Sequence, residues 1–290
     1  MPAENGAPPV STLLDSPVVA ALQHARTGRS GIGAFNVVLL EHAEAIVDGA
    51  ERAGVPVILQ ISQNCIAYHG ALEPLTAATL ALARRSPVPA IVHLDHADDV
   101  DLVHRAVASG VDSVMFDGSH LPYEDNVRVT REVVEHCHAH GVPVEAELGE
   151  VGGKDGVHAP GARTDPAQAA AFVAATGVDS LAVAVGSSHA MTERVATLDL
   201  DLVAALAAVV PVPLVLHGSS GVADDQLSAA VRAGMTKVNI STHLNGLFTR
   251  AVREVLDADP ALVDPRKYVA PARAAVAREV QRLLRLLAEA

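Results

Sequence analysis

Ser109-Gly110-Val111-Asp112-Ser113-Val114-Met115-Phe116-Asp117 compresses a helix end, its cap and a buried strand into one short stretch. A glycine just past a helix takes the left-handed conformation that other residues resist, and the apolar run behind it starts the next strand at once. The junction recurs at Ala53-Gly54-Val55-Pro56, His140-Gly141-Val142-Pro143, Thr176-Gly177-Val178-Asp179 and Ala233-Gly234-Met235. Outward from these junctions, strands are expected over 32–37, 56–62, 90–95, 113–117, 144–148, 180–186, 214–218 and 237–242. Ala-rich amphipathic segments fall between them, over 41–53, 75–84, 99–109, 126–140, 165–176, 200–209, 224–232 and 243–256, with a closing helix over 273–290. Continuous Val/Leu-rich strands suit a parallel sheet buried on both faces. Their regular alternation with helices predicts an α/β (β/α)8 TIM barrel with an extra C-terminal helix. An open doubly wound sheet would need a Gly-rich phosphate turn after its first strand, and 32–40 has none. Residues 1–12 read as a loose tail and 13–290 as one domain.

Composition narrows the functional classes. Half of the 290 residues are apolar, enough for one large core, but aromatics are only 2% and Trp is absent, so Ala, Val and Leu must fill it. A net charge of -13, without a basic face, argues against nucleic-acid binding. No apolar run is long enough to span a membrane, and the start lacks a signal-peptide pattern. Cys65 and Cys137 lie far apart outside any paired-thiol motif. Reduced, buried thiols in a cytoplasmic protein are expected.

Three histidines end apolar runs: His96 after Ile91-Val92-His93-Leu94-Asp95, His189 after the 181–188 run, and His217 after Leu214-Val215-Leu216. In a barrel all three stand on the C-terminal rim, where such folds keep their chemistry. Three imidazoles sharing an open coordination position make a catalytic zinc site. Other polar residues end strands at the same rim: Asn36, Ser62, Asp95, Asp117 with Gly118-Ser119, Glu147, Asn239, Ser241 and Thr242. His93, two residues before Asp95, belongs deeper in the core or behind a ligand. His136, His138 and His140 close a helix and read as surface.

Several ordered blocks resemble the class II, zinc-dependent ketose-bisphosphate aldolases, from about Gly31 to the C-terminal helix. They are Ala34-Phe35-Asn36, His93-Leu94-Asp95-His96, the 113–122 run, Glu145-Ala146-Glu147-Leu148-Gly149, Gly186-Ser187-Ser188-His189, 216–221 and Lys237-Val238-Asn239-Ile240. The resemblance implies that His96, His189 and His217 bind one catalytic Zn2+. It makes Asp95 the acid/base at the C4 hydroxyl. Asp117 and Glu147 become carboxylates at a second or alternative metal position, for a divalent or a monovalent cation. Gly186, Gly218, Ser220, Asn239 and Thr242 would hold the dihydroxyacetone phosphate end; Asn36, Ser62 and Ser241, read from their strand ends, are further substrate-binding candidates. It further implies a phosphorylated sugar substrate, by default fructose or tagatose 1,6-bisphosphate, and a homodimer or homotetramer.

Three departures from the family pattern bear on the substrate. The loop after the fifth strand usually reads Gly-Gly-x-Glu-Asp, its Glu moving the C3 proton. Here it is Gly152-Gly153-Lys154-Asp155-Gly156, so Asp155 either replaces that Glu or matches the Asp after it. The basic residue expected for a distal phosphate is Asn245, and the usual His–Gly pair is His189-Ala190. The dihydroxyacetone phosphate half is therefore intact and the aldehyde half altered. That allows another ketose 1-phosphate with a different distal group, or a non-catalytic sugar-phosphate-binding paralogue. Schiff-base chemistry is disfavoured: Lys237 is expected to begin its strand, at the wrong end of the barrel, and Lys154 and Lys267 lie on loops.

Overall fold

The computed structural model describes residues 13, 16–149, 163–188, 191 and 193–290. The strands are β1 (Ile32–Asn36), β2 (Val57–Ser62), β3 (Ala90–Ala97), β4 (Ser113–Phe116), β5 (Val144–Leu148), β6 (Ser180–Val183), β7 (Leu214–Leu216) and β8 (Met235–Ile240). Each pairs in parallel with its sequence neighbours and β8 closes on β1, giving the (β/α)8 barrel. The helices are α1 (Pro17–Gly28), α2 (Leu40–Ala53), α3 (Gln63–His69), α4 (Glu73–Ala83), α5 (Val100–Ala108), α6 (Tyr123–Ala139), α7 (Pro166–Thr176), α8 (Leu200–Val209), α9 (Asp224–Ala233), α10 (Thr242–Ala258) and α11 (Pro265–Ala288). Asp99, Asp165, Asp199 and Asp264 each accept a first-turn N–H as N-caps of α5, α7, α8 and α11, which fixes where those helices leave the rim loops.

Strand pleating sorts the side chains. Val92, Leu94, Val144, Ala146 and Val238 enter the apolar layer beneath the helices. Alternate residues point inward, and register aligns them: Gln60 with His93, Ser62 with Asp95, His93 with Ser113, and Val215 with Lys237. At the N-terminal mouth, Val18, Leu22 and Ala25 of α1 cover Ile32, Ala34, Ile58 and Ile91, and seal the barrel floor. The Arg26 guanidinium ties α1 to the carbonyls of Val210 (3.0 Å) and Pro211. α11 runs along α2, with Arg273 against Glu44 at 2.5 Å, and its Leu287 carbonyl accepts the Gly31 N–H at 2.7 Å.

Several expectations are corrected. α1 and α3 were not anticipated. β6 stops at Val183 and β7 at Leu216, before the glycines assigned to them: the Ala184 and Val185 carbonyls accept from the Thr164 and Asp199 N–H groups rather than from a neighbouring strand, and Gly218 (φ 68°) leaves the extended region. β8 begins at Met235, so Lys237 does not start its strand; it points into the barrel interior. α11 starts at Pro265 and carries Pro271 within it. The expected loose tail over 1–12 lies outside the described residues. Cys65 and Cys137 are both buried and unbridged. Among the described residues no helix is long and apolar enough to cross a membrane.

Candidate active site

The third strand supplies the unusual geometry. Successive strand residues face opposite ways, so if Asp95 points into the barrel, His96 should point out. Instead the β3–β4 register slips between Leu94 and Ala97, and His96 sits at φ 47°, in the left-handed region that a non-glycine residue enters only at a cost. This bulge turns both side chains into the mouth. Local strain held by a surrounding fold is a mark of functional positions.

Three ligand-type groups converge there. One atom each of His96, Glu147 and His217 lies within 4.8 Å of the others. His217 Nδ1 is 3.0 Å from His96 Nε2 and 3.5 Å from Glu147 Oε2. Each imidazole turns its other nitrogen to a carboxylate: His96 Nδ1 to Asp117 Oδ2 at 2.7 Å, and His217 Nε2 to Glu145 Oε1 at 3.0 Å. Carboxylates behind imidazoles are the usual second layer of a metal site. Asp117 thus stands behind His96, and its other oxygen accepts from the Ser119 hydroxyl at 2.6 Å. Burial opposes charge on His96, but Asp95, the Asp117 hydrogen bond and Glu147 outweigh it and raise its pKa to about 9. Two imidazoles and a carboxylate, their ligand atoms inward and their outer nitrogens anchored, suit a borderline-soft divalent ion such as zinc. His189, the third expected histidine ligand, and Asp155 lie outside the described residues, as does the 152–156 loop.

Asp95 stands beside this cluster, close enough for its charge to act on His96. Asn36 Nδ2 donates to its Oδ2 at 2.9 Å and Gln60 Nε2 donates to its Oδ1. The carboxylate is therefore held at both oxygens. Gln60 was missed from the sequence, although a lone amide inside the apolar run Val57-Ile58-Leu59-Gln60-Ile61 was a usable signal.

The remaining substrate candidates gather after β6, β7 and β8. The Ser219–Gly221 turn after β7 presents Ser220, whose Oγ accepts from the N–H groups of Ser241 and His243, both at 3.2 Å. Thr242 opens α10, so this corner is a helix N-terminus lined by hydroxyls, a favourable place for an anion. Asn239 is buried with its Oδ1 unpartnered, and Ser187 is buried with its Oγ unpartnered. Such atoms are costly to bury unless something binds them. Gly186 and Gly218 allow close backbone approach here. Ser62 instead spends its hydroxyl oxygen on the Cys65 N–H as the N-cap of α3, at 3.2 Å. Asn245 lies half-buried in the first turns of α10. His138 pairs with Asp179 at 2.9 Å, and His136 stacks on His104, away from the rim site.

Comparison with known proteins gives the family of the chain. A sequence model of class II fructose-bisphosphate aldolase matches residues 17–290. A fructose-bisphosphate aldolase from Geobacillus stearothermophilus is 39% identical over 259 residues, covering 88% of this chain and 90% of that one. The solved YdjI aldolase from Escherichia coli K12 superposes with a TM-score of 0.83 at 33% identity, over 94% of this chain and 96% of the other. A fructose-bisphosphate aldolase from Campylobacter jejuni, with a TM-score of 0.77 at 21% identity over 95% and 94% of the two chains, shares the fold. The class is a TIM-barrel lyase that breaks a carbon–carbon bond. The chain belongs to the class II fructose-bisphosphate aldolase family.

Proposed function

We propose that this protein is a zinc-dependent aldolase that reversibly cleaves a ketose 1-phosphate or 1,6-bisphosphate into dihydroxyacetone phosphate and an aldehyde. The observation that carries the reading is the convergence of His96, Glu147 and His217 beside a carboxylate, Asp95, held at both oxygens. His96, His217 and His189 would hold the zinc, with Glu147 as a further or alternative ligand, and Asp117 is assigned to orienting His96. Bound zinc supplies a Lewis acid that polarises the ketose carbonyl.

The chain's own residues supply the rest. Asp95 accepts the C4 hydroxyl proton as the C3–C4 bond breaks, and Asn36 and Gln60 keep it aimed at that proton. The hydroxyl-lined N-terminus of α10, with Ser220, Ser241 and Thr242, takes the phosphate, and the open polar atoms of Asn239 and Ser187 meet the substrate's oxygens. Asp155 is the candidate for the C3 proton. Lys237 is no Schiff-base candidate: it is buried and committed to Glu145 at 2.6 Å. The buried, unbridged thiols support a reducing, cytoplasmic setting, and the family resemblance suggests a homodimer or homotetramer.

The test is a panel of ketose phosphates coupled to detection of dihydroxyacetone phosphate, with metal analysis in parallel. Expected are about one zinc per chain, activity abolished by exhaustive chelation and restored by zinc, and both lost in His217→Ala. Full turnover in metal-free protein would overturn the reading.

A further inference from the structure

Beneath the rim lies a layer that the reaction chemistry does not call for. Barrel interiors are usually filled by branched apolar side chains, yet here Glu145 of β5, Lys237 of β8 and His93 of β3 meet across the middle, all nearly inaccessible to solvent. Lys237 Nζ donates to Glu145 Oε2 at 2.6 Å and to His93 Nε2 at 3.3 Å, and His93 Nδ1 contacts Ser113 Oγ at 2.7 Å. Burial, and then the Lys237 charge, hold the His93 pKa well below its usual value. Neutral His93 therefore accepts from Lys237 and donates to Ser113. The second oxygen of Glu145 faces His217 Nε2 at 3.0 Å.

The direction of these bonds matters. A carboxylate whose other oxygen already receives a lysine can only accept, so the His217 proton must sit on Nε2. The acceptor lone pair is then on Nδ1, the nitrogen that faces His96 and Glu147. A neutral imidazole left to itself could carry its proton on either nitrogen, and one of those forms cannot bind a metal from this side. A lone buried carboxylate would be too costly to keep; Lys237 makes it tenable.

We propose that Glu145 is a positioning residue that fixes His217 in its metal-binding tautomer, with Lys237 acting through it as the buried counter-ion. The inference rests on the zinc reading above. Removing one member of a buried ion pair destabilises a fold, so the test removes both charges in two ways. Glu145→Gln with Lys237→Met keeps an acceptor for His217; Glu145→Met with Lys237→Met deletes it. Zinc affinity is measured by chelator competition on protein shown to be folded by circular dichroism. The Met/Met variant is expected to bind zinc about 10–100-fold more weakly than wild type, the usual effect of losing an outer partner, and the Gln/Met variant to recover most of that loss. Equal weakening in both variants would reduce the pair to packing, and wild-type affinity in Met/Met would refute the proposal. Absence of zinc binding by the wild type would instead sink the metal-site reading. A second measurement leaves Glu145 and Lys237 in place. In histidine-15N-labelled, metal-free wild type, with His217 assigned from His217→Gln, the His217 proton should appear on Nε2. A proton on Nδ1 would overturn the assignment.

Discussion

Substituting Gly218 by alanine tests the turn that follows His217, a proposed zinc ligand. Two costs are separable. Gly218 has φ 68°, where a Cβ costs roughly 1–2 kcal/mol. In addition, an added Cβ would lie 2.6 Å from the carbonyl carbon of Ser188 and 2.7 and 2.9 Å from its O and N. Those are backbone atoms and cannot swing aside, so overpacking adds about 1–3 kcal/mol. The sum is about 2–5 kcal/mol, delivered to the strand-six loop immediately before His189. Gly54 provides the control: its φ is 74°, but nothing lies within 4 Å of its added Cβ, so Gly54→Ala carries the conformational cost alone. Thermal unfolding of the metal-free proteins should show Gly218→Ala melting well below Gly54→Ala, each kcal/mol being worth about 2–4 °C. Gly218→Ala should also lose zinc affinity and turnover, while Gly54→Ala keeps both. Equal melting points would mean that the Gly218–Ser188 approach does not constrain the site.

Asp95→Asn should leave zinc content near wild type but slow cleavage by roughly 100-fold or more, the scale of acid–base catalysis; an unchanged rate would move the proton transfer elsewhere. Because the His96 pKa is raised to about 9, a proton must leave it when metal binds. Zinc affinity should therefore rise by about tenfold per pH unit from pH 7 toward 9, and pH-independent chelator competition would contradict this. The same raised pKa stabilises the metal-free fold fully below the ordinary histidine value of about 6.5, and that contribution fades as pH rises through about 9. Glu279 opposes its own burial through hydrogen bonds from Arg282 and His243, which pull its pKa to about 2. Its stabilisation, on the order of 2 kcal/mol, should be complete above about pH 4.5 and vanish as pH falls toward 2, so Glu279→Gln should lower the melting point at pH 7 and not near pH 2. Asn245→Arg should raise kcat/KM for fructose 1,6-bisphosphate more than for a ketose 1-phosphate; a wild type already preferring the bisphosphate by about 1000-fold would show that Asn245 marks no lost phosphate contact.

The barrel was legible because its signal is local and repeated. Each Gly-capped junction announces a helix end, and strands such as β5 fall where the apolar runs place them. The errors have physical causes. α3 spans only Gln63–His69, too short to display a helical period, and α1 follows a Pro-rich start that hides its Ser16-Pro17 opening. Pro271 reads as a boundary in sequence, yet α11 continues through it. In the site, His96 and His217 could be found because they terminate apolar runs at matching ends. Glu145 and Lys237 could not, since their meaning depends on closure: 92 positions apart in sequence, they meet only because β5 and β8 face each other across the barrel. The bulge at His96 was equally hidden, because no residue type there demands a positive φ.

The sealing of the floor by α1 has a practical corollary. A recess lined by Val18, Leu22, His93, Glu145 and Lys237 lies between that helix and the charged layer. The helix is thus an insulator, keeping bulk water from reaching the ion pair through the N-terminal mouth of the barrel. A shortened clone starting at β1 would retain every group named for catalysis and still expose the Lys237–Glu145 contact to a high dielectric, where their attraction weakens several-fold. Its defect would be electrical leakage from below, visible as a loosened metal in a protein whose mouth is intact.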